Sequence, residues 1–176
     1  MLPNTASPTQ HEHVIAILVE NHPGVLARIS GMFATRGYNI ESLAVGTTQH
    51  PTISQITVAL RGDDKVIDQI IQQLSKMVDV IRVMDMSNQI HIERELMLIK
   101  VASDERKRSE IMQICDIFRA RIVDVGHESL VVEIVGTLDK NEKLRELFEP
   151  FGILEMTRTG RIAVQRGVEV LRPPDV

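Results

Sequence analysis

The regular pattern of the chain opens with six consecutive apolar residues at positions 14–19. Such a run predicts a β-strand that is covered on both of its faces. The run ends at the turn-forming residues Asn21, His22, Pro23 and Gly24. Beyond this turn, apolar residues recur with helical spacing, and Gly37 supplies a helix stop. The segment therefore predicts a strand, a tight loop and a helix, in that order.

The next segment completes a first structural unit. Residues 40–48 and 53–60 predict two strands around a turn, and the second of them alternates apolar with polar positions. After Gly62, apolar residues at helical spacing predict a helix that reaches Met77. Residues 80–86 resume a strand. The first half of the chain thus has the order βαββαβ, which is typical of a ferredoxin-like domain.

The second half repeats this order without obvious sequence identity to the first. Apolar periodicity predicts a strand, a helix, a hairpin of two strands, a second helix and a last strand. We therefore expect an α+β protein made of two ferredoxin-like βαββαβ domains. The predicted elements of this half are residues 96–102, 105–118, 122–125, 130–135, 140–149 and 153–159.

These patterns divide the chain into five segments. Residues 1–12 contain two prolines and almost no apolar periodicity, which predicts a disordered leader. We expect the first domain at residues 13–87 and the second at residues 95–166. Between them, residues 88–94 form a polar linker that is too short to let the domains move far apart. Residues 167–176 are expected to form a tail.

Charge and composition argue against several classes of partner. A net charge of −4 with scattered basic residues gives no attraction for a phosphate backbone, so we expect no nucleic-acid partner. The longest apolar run is far below the roughly 20 residues of a membrane helix, so we expect no membrane partner. The single cysteine, Cys115, and the absence of a signal-peptide pattern favour a reducing cytoplasm.

The sequence carries no recognisable catalytic motif. The six histidines are dispersed, and no nucleophile elbow, P-loop or dinucleotide-binding fingerprint follows a predicted strand. We therefore expect neither catalytic residues nor a metal site. A metal site assembled in space from Cys115, His91 and His127 is the alternative. Cys115 lies on the apolar stripe of its predicted helix, and a core position explains it more simply.

The loop between the first strand and the first helix is the most informative stretch. Pro23 can begin a helix without losing a useful N–H group, and Gly24 lets a ligand approach the backbone closely. The free N–H groups of Gly24, Val25 and Leu26 would then point out of the helix end, which suits a carboxylate. In the alternative interpretation, Asn21 caps the helix and Gly24 only allows the chain to turn.

A family resemblance favours the ligand-binding reading. Residues 20–46 read ENHPGVLARISGMFATRGYNIESLAVG. This stretch resembles the ACT domain of the small, regulatory subunits of acetohydroxyacid synthase, also called acetolactate synthase. It carries both the N-x-x-G-x-L loop and the R-G-Y-N-I-E-S-L segment of that family. The resemblance covers about residues 13–166, closely in the first domain and more loosely in the second. It implies an N-terminal ACT domain followed by a C-terminal ACT-like domain.

The resemblance also implies an effector site. In this family two ACT domains pair side by side into one sheet, and valine binds at the interface of the homodimer. One subunit would hold the ligand's carboxylate and amine through one set of residues, and the other subunit would complete the site. Gly46 fits a place where a ligand or a neighbouring backbone comes close. The implied residues are Asn21, Gly24, Val25 and Leu26 from one subunit, Asn39 and Ile40 from the other, and Gly46.

The resemblance further implies a regulatory function without catalysis. The partner would be the catalytic subunit, which converts pyruvate to 2-acetolactate in branched-chain amino-acid biosynthesis and itself binds thiamine diphosphate, Mg²⁺ and FAD. This chain would bind no cofactor, activate that subunit and confer feedback inhibition by valine. Leucine and isoleucine remain alternative effectors, since one methylene in an apolar pocket is worth only about 1–3 kcal/mol. An amino-acid sensor for another enzyme and a transcriptional regulator remain alternative functions.

Overall fold

The computed structural model describes residues 11–168 and 170–173. Contacts divide the chain into two units, one formed by Met1–Ile92 with Ala163–Val176 and the other by Glu93–Ile162. Most of the predicted leader, residues 1–10, lies outside the described residues, whereas His11 and Glu12 already belong to the first strand. None of the helices in the described ranges is long and apolar enough to cross a membrane.

The first unit has the predicted order βαββαβ. The strands form one antiparallel sheet in the order β2-β3-β1-β4, which places β1 inside the sheet and leaves β2 at an edge. This strand order is that of a ferredoxin-like fold, and both helices cover the same face of the sheet. The elements are β1 (His11–Glu20), α1 (Val25–Thr35), β2 (Ser42–Thr47), β3 (Ile53–Gly62), α2 (Asp64–Leu74) and β4 (Val80–Asp85).

Strand β1 is buried on both faces, as its unbroken apolar run predicts. On one face, Ile15 and Ile17 pack with residues of both helices in the main core of the unit. On the other face, Val14 and Ala16 pack with Met86 and with Ala163 from the end of the chain. Ala163 and Leu171 therefore belong structurally to the first unit, where they cover the second face of its sheet.

The second unit repeats the same arrangement around the sheet order β6-β7-β5-β8. Its core lies between one face of the sheet and the helices, with Ile99, Ile111 and Phe148 among its fully buried residues. Strand β5 begins within the predicted linker. The elements are β5 (His91–Ala102), α3 (Glu105–Phe118), β6 (Arg121–Val125), β7 (Ser129–Gly136), α4 (Leu138–Phe148), a 3₁₀ turn (Glu149–Phe151) and β8 (Ile153–Arg158). A short strand, β9 (Ile162–Gln165), follows and was not predicted from the sequence.

Three of the four described α-helices begin with a side-chain cap. Asp63 accepts a hydrogen bond from the Val66 N–H at the start of α2. Asp104 caps α3 and Thr137 caps α4 in the same way. Such caps satisfy N–H groups that have no partner within the helix. Helix α1 differs, because its N-cap is Gly24, which has no side chain to accept these bonds.

Candidate functional site

The loop before α1 presents free N–H groups to solvent. Gly24 adopts a left-handed conformation with φ 91° and ψ −13°, and the first bond of the helix joins the Arg28 N–H to the Gly24 carbonyl at 3.0 Å. No side chain caps this end of the helix, so the N–H groups of Val25, Leu26 and Ala27 are not taken up by a capping side chain. Together with the positive end of the helix dipole, such N–H groups are suited to an anionic ligand.

Two expectations about this loop need correction. Helix α1 begins at Val25 and not at Pro23, because the left-handed Gly24 stands between them and breaks the helical path. Asn21 does not cap the helix: its side-chain Nδ2 donates to the Pro51 carbonyl at 2.8 Å. The Asn21 N–H also bonds to the Thr52 carbonyl at 2.8 Å. Asn21 therefore ties the loop to the β2–β3 turn, and its Oδ1 has no hydrogen-bond partner among the described residues.

Val25 and Leu26, the first two residues of the helix, offer different groups to a ligand. The side chain of Val25 is buried in the core of the unit, so only its backbone N–H is available to a ligand. Leu26 is 41% exposed, so its side chain offers an apolar surface at the start of the helix. The loop thus offers donors for a carboxylate beside an aliphatic surface.

Asn39 and Ile40 lie at the other end of α1. The Tyr38 N–H bonds to the Phe33 carbonyl at 3.0 Å, which holds this segment against the last turn of the helix. Helix α1 has 11 residues, and at about 1.5 Å per residue it is roughly 16 Å long. Asn39 is exposed, and Ile40 is half-buried against the core. Within one chain, these residues and the loop at 21–26 cannot contact the same small ligand.

Gly46 lies on the edge strand β2, at the end that is nearer to the loop. Its neighbour Thr47 pairs with Ser54, which pairs in turn with Val19 near the end of β1. A Cβ atom added at Gly46 would meet no atom within 4 Å, so the fold of the single chain does not require glycine there. Val45, which precedes it, is 49% exposed although its partner on β3 belongs to the core.

Sequence reasoning missed Asp79, which holds the loop and the helix together. One carboxylate oxygen of Asp79 accepts from Arg28 Nε at 2.6 Å, and the other lies 3.0 Å from His22 Nε2. The hydrogen bond from Arg28 is the largest cause that lowers the pKa of Asp79 below its usual value, so the group is a carboxylate at neutral pH. The partners are far apart in sequence, and no local pattern could have revealed the contact.

The cysteine of the alternative metal site is a core residue. Cys115 is buried in the core of the second unit, next to the apolar residues of α3. Burial raises the pKa of its thiol to about 11, so the thiolate that would bind a metal is not formed at neutral pH. His127 is exposed in the β6–β7 turn. The core interpretation of Cys115 is the one that the structure supports.

Comparisons with known proteins decide the family. Residues 15–82 match the family model described as AHAS small subunit-like ACT domain, and residues 94–167 match the model described as small subunit of acetolactate synthase. This chain belongs to the acetolactate synthase small-subunit family. The resemblance seen in residues 20–46 is thereby confirmed, and so is the α+β fold with ACT-type domains.

Individual members of the family agree with this assignment. The probable acetolactate synthase small subunit of Archaeoglobus fulgidus is 48% identical over 156 residues, which cover 89% of this chain and 98% of that protein. The acetolactate synthase small subunit of Aquifex aeolicus is 44% identical, over 90% of this chain and 83% of its own. The crystal structure of the small subunit from Thermotoga maritima superimposes with a TM-score of 0.81 at 40% identity, and the match covers 89% of this chain and 98% of that one.

Proposed function

We propose that this chain is the regulatory subunit of an acetolactate synthase. It activates a separate catalytic subunit that converts pyruvate to 2-acetolactate, and it confers feedback inhibition by valine. Membership in the small-subunit family and the open anion site at the start of α1 support this function. The chemistry belongs to the catalytic subunit, which supplies thiamine diphosphate, Mg²⁺ and FAD. The role of this chain is to change the activity of its partner.

One observation carries the proposal of a shared valine site. The residues that the family resemblance assigns to the effector fall into two groups at opposite ends of α1, roughly 16 Å apart. A single valine is far smaller than this separation. Both groups can contact it only if one of them comes from a second copy of the chain. The division of the site residues therefore supports a homodimer with valine at its interface.

The edge strand β2 provides a way to bring the two groups together. Among the described strands, β2 pairs only with β3, so its outer edge has free backbone groups. Antiparallel pairing of two β2 strands would place the start of one beside the end of the other. Residues 39–40 of one copy would then approach Gly46 and the loop of its partner. The open space at Gly46 would hold the ligand or the backbone of the second copy.

The chemistry of the two groups suits a branched amino acid. The free N–H groups of Val25, Leu26 and Ala27 would bind the carboxylate of the effector. The Oδ1 atoms of Asn21 and Asn39 would accept hydrogen bonds from its ammonium group. The exposed side chain of Leu26, with Ile40 of the second copy, would contact the methyl groups. The exposed Val45 beside Gly46 would add to the same aliphatic surface.

A site at a symmetric interface also explains how regulation could work. Valine that contacts two copies favours one arrangement of the dimer over others, because ligand contacts stabilise only the arrangement that forms them. If the catalytic subunit prefers a different arrangement, valine and activation oppose each other. A coupling free energy of about 1–3 kcal/mol would change activity by roughly 5- to 150-fold.

Reconstitution tests this function. Acetolactate formation by the cognate catalytic subunit is measured with and without this chain, while valine is titrated, with leucine and isoleucine as parallel ligands. The proposal expects higher activity in the presence of this chain, inhibition by valine only when it is present, and no turnover by this chain alone. Unchanged activity and no valine response in the mixed sample would contradict it. Turnover by the purified chain would contradict its non-catalytic role.

A further inference from the structure

Three side chains with metal-binding atoms meet at the end of β1. His22 Nε2 lies 3.0 Å from Asp79 Oδ1 and 3.4 Å from Glu20 Oε2. All three atoms lie within 4.8 Å of one another. A tetrahedral Zn²⁺ ion with bonds of about 2.0–2.2 Å keeps its ligand atoms about 3.3–3.6 Å apart. The three atoms therefore already have nearly the spacing that one such ion requires.

Hydrogen bonds of the backbone hold these three residues together. The Glu20 N–H donates to the Asp79 carbonyl at 2.9 Å, so the end of β1 lies beside the residue that precedes β4. The His22 N–H donates to the Glu20 carbonyl at 3.2 Å, which turns the chain back toward the end of β1. Asp79 is distant from the other two residues in sequence, so residue spacing alone gives no sign of the group.

Neighbouring groups orient two of the three ligand atoms. The Pro23 carbonyl oxygen lies 3.2 Å from His22 Nδ1 and can only accept, so Nδ1 is the nitrogen that donates to it and Nε2 faces the carboxylates. Arg28 Nε donates to Asp79 Oδ2 at 2.6 Å, which leaves Asp79 Oδ1 beside His22. Metal-binding histidines and carboxylates usually have such outer hydrogen bonds. The same contacts would orient the ligands of a bound ion.

The charge of the group also suits a divalent cation. Glu20 and Asp79 contribute two carboxylates against the single guanidinium of Arg28. The hydrogen bond from Arg28 is the largest cause that lowers the pKa of Asp79, so this ligand is ionised at neutral pH. An imidazole nitrogen in the set favours Zn²⁺ over Mg²⁺ and Ca²⁺, which prefer oxygen ligands. The side chains of Glu20 and His22 are exposed, so an ion can enter from solvent.

We propose that Glu20, His22 and Asp79 form a site for one divalent transition-metal ion, with Zn²⁺ as the best match. His22 belongs to the loop before α1, whereas Glu20 ends β1 and Asp79 precedes β4. A bound ion therefore joins this loop to two strands of the sheet. Because the site forms only in the folded chain, the ion stabilises the first unit against unfolding.

Zinc binding to the full-length chain tests this inference. Titration calorimetry with Zn²⁺ at neutral pH gives the affinity and the stoichiometry, and scanning calorimetry gives the melting temperature with and without Zn²⁺. The three ligand variants are Glu20→Gln, His22→Gln and Asp79→Asn, and their melting temperatures without Zn²⁺ show whether they fold. His127→Gln is the matched control, because it removes an exposed histidine from the second unit.

The inference predicts one zinc ion for each natural chain. Loss of an outer hydrogen bond alone lowers metal affinity by about 10- to 100-fold, so each ligand variant should bind Zn²⁺ at least about tenfold more weakly. His127→Gln should bind it as the natural chain does. With Zn²⁺ at about 100 times its dissociation constant, the melting temperature of the natural chain should rise by roughly 5–10 °C. An equal concentration of Mg²⁺ should not displace the zinc.

Three results would overturn the inference. No saturable zinc binding by the natural chain would show that the three side chains form only hydrogen bonds and ion pairs. Equal zinc affinity of the natural chain and the three ligand variants would show an adventitious ion only. Displacement of Zn²⁺ by an equal concentration of Mg²⁺ would contradict a nitrogen ligand. These measurements use neither valine nor the catalytic subunit, so each of these results would leave the proposed function intact.

Discussion

Replacement of Gly46 by valine tests whether glycine at this position is required for the stability of the single chain or for effector binding. A Cβ atom at this position meets no atom within 4 Å in the single chain. Glycine within a strand costs about 0.5–1 kcal/mol relative to alanine, so Gly46→Val should leave the chain equally stable or slightly more stable. At about 2–4 °C per kcal/mol for a chain of this size, its melting temperature should rise by 0 to roughly 4 °C.

Gly46→Val should strongly weaken valine binding, although it should not weaken the stability of the chain. If the open space at this position holds the ligand or a second copy, the added side chain overfills it. Overfilling of a packed site costs about 1–3 kcal/mol, which corresponds to a roughly 5- to 150-fold loss of affinity. Titration calorimetry with valine measures the affinity, scanning calorimetry measures the stability, and light scattering measures whether the chain is a dimer.

Gly31→Ala is the matched control for this substitution. Gly31 lies exposed on α1 and also has no atom within 4 Å of an added Cβ, but it is outside the proposed site. Its replacement should stabilise the helix by up to about 1 kcal/mol and leave valine binding unchanged. If Gly46→Val bound valine as tightly as Gly31→Ala does, Gly46 would have no part in the site.

Three further predictions concern the core of each unit. Gly136→Ala should destabilise the chain by about 1–3 kcal/mol in chemical denaturation, because its Cβ would lie 2.7 Å from Asn141 Oδ1; stability equal to the natural chain would refute this. The Cys115 thiol should react with a disulfide reagent at pH 8 only after unfolding, since its pKa is about 11; rapid reaction of the folded chain would contradict this. A chain that ends at Arg161 should melt at a lower temperature and bind a hydrophobic dye, because it loses Ala163 and uncovers Val14; an unchanged melting temperature would refute it.

Apolar periodicity predicted most of the fold because most elements bury one face and leave the other more exposed. Helix α3 begins and ends where its apolar stripe predicted, at Glu105 and Phe118. Two strands were not predicted correctly, and each has a physical reason. Strand β5 starts at His91, but four of its first five residues are polar or charged, so in composition this stretch resembles a linker. Strand β9 has only four residues, and Ala163 is buried by packing against β1, a long-range contact that no local pattern contains.

The candidate site was predictable only in part. The turn-forming residues before α1 and the family resemblance indicated a ligand loop, and the structure shows free N–H groups there. The left-handed Gly24 could not be predicted, because Pro23 is equally compatible with the start of a helix. The anchor at Asp79 could not be predicted either, since 51 positions separate it from Arg28. The position of residues 21–26 and 39–40 at opposite ends of α1 did follow from the sequence, because the predicted helix lies between them.

The central claim is that two copies of the chain share each valine site, and mixed dimers test it most directly. Asn21→Ala and Asn39→Ala should each weaken valine binding by roughly 10- to 150-fold, since a hydrogen bond to a charged group is worth about 1.5–3 kcal/mol. Both side chains are exposed, so both variants should fold. In a dimer with one copy of each variant, a shared arrangement leaves one site with both asparagines and the other with neither.

The measurement is valine binding by calorimetry to purified mixed dimers that carry a different affinity tag on each copy. The account predicts that half of the sites regain the affinity of the natural chain, while each variant alone forms dimers with two weakened sites. A site built within one chain would keep one defect in every site of the mixed dimer. In that case no site would regain natural affinity, and the claim of a shared site would be contradicted.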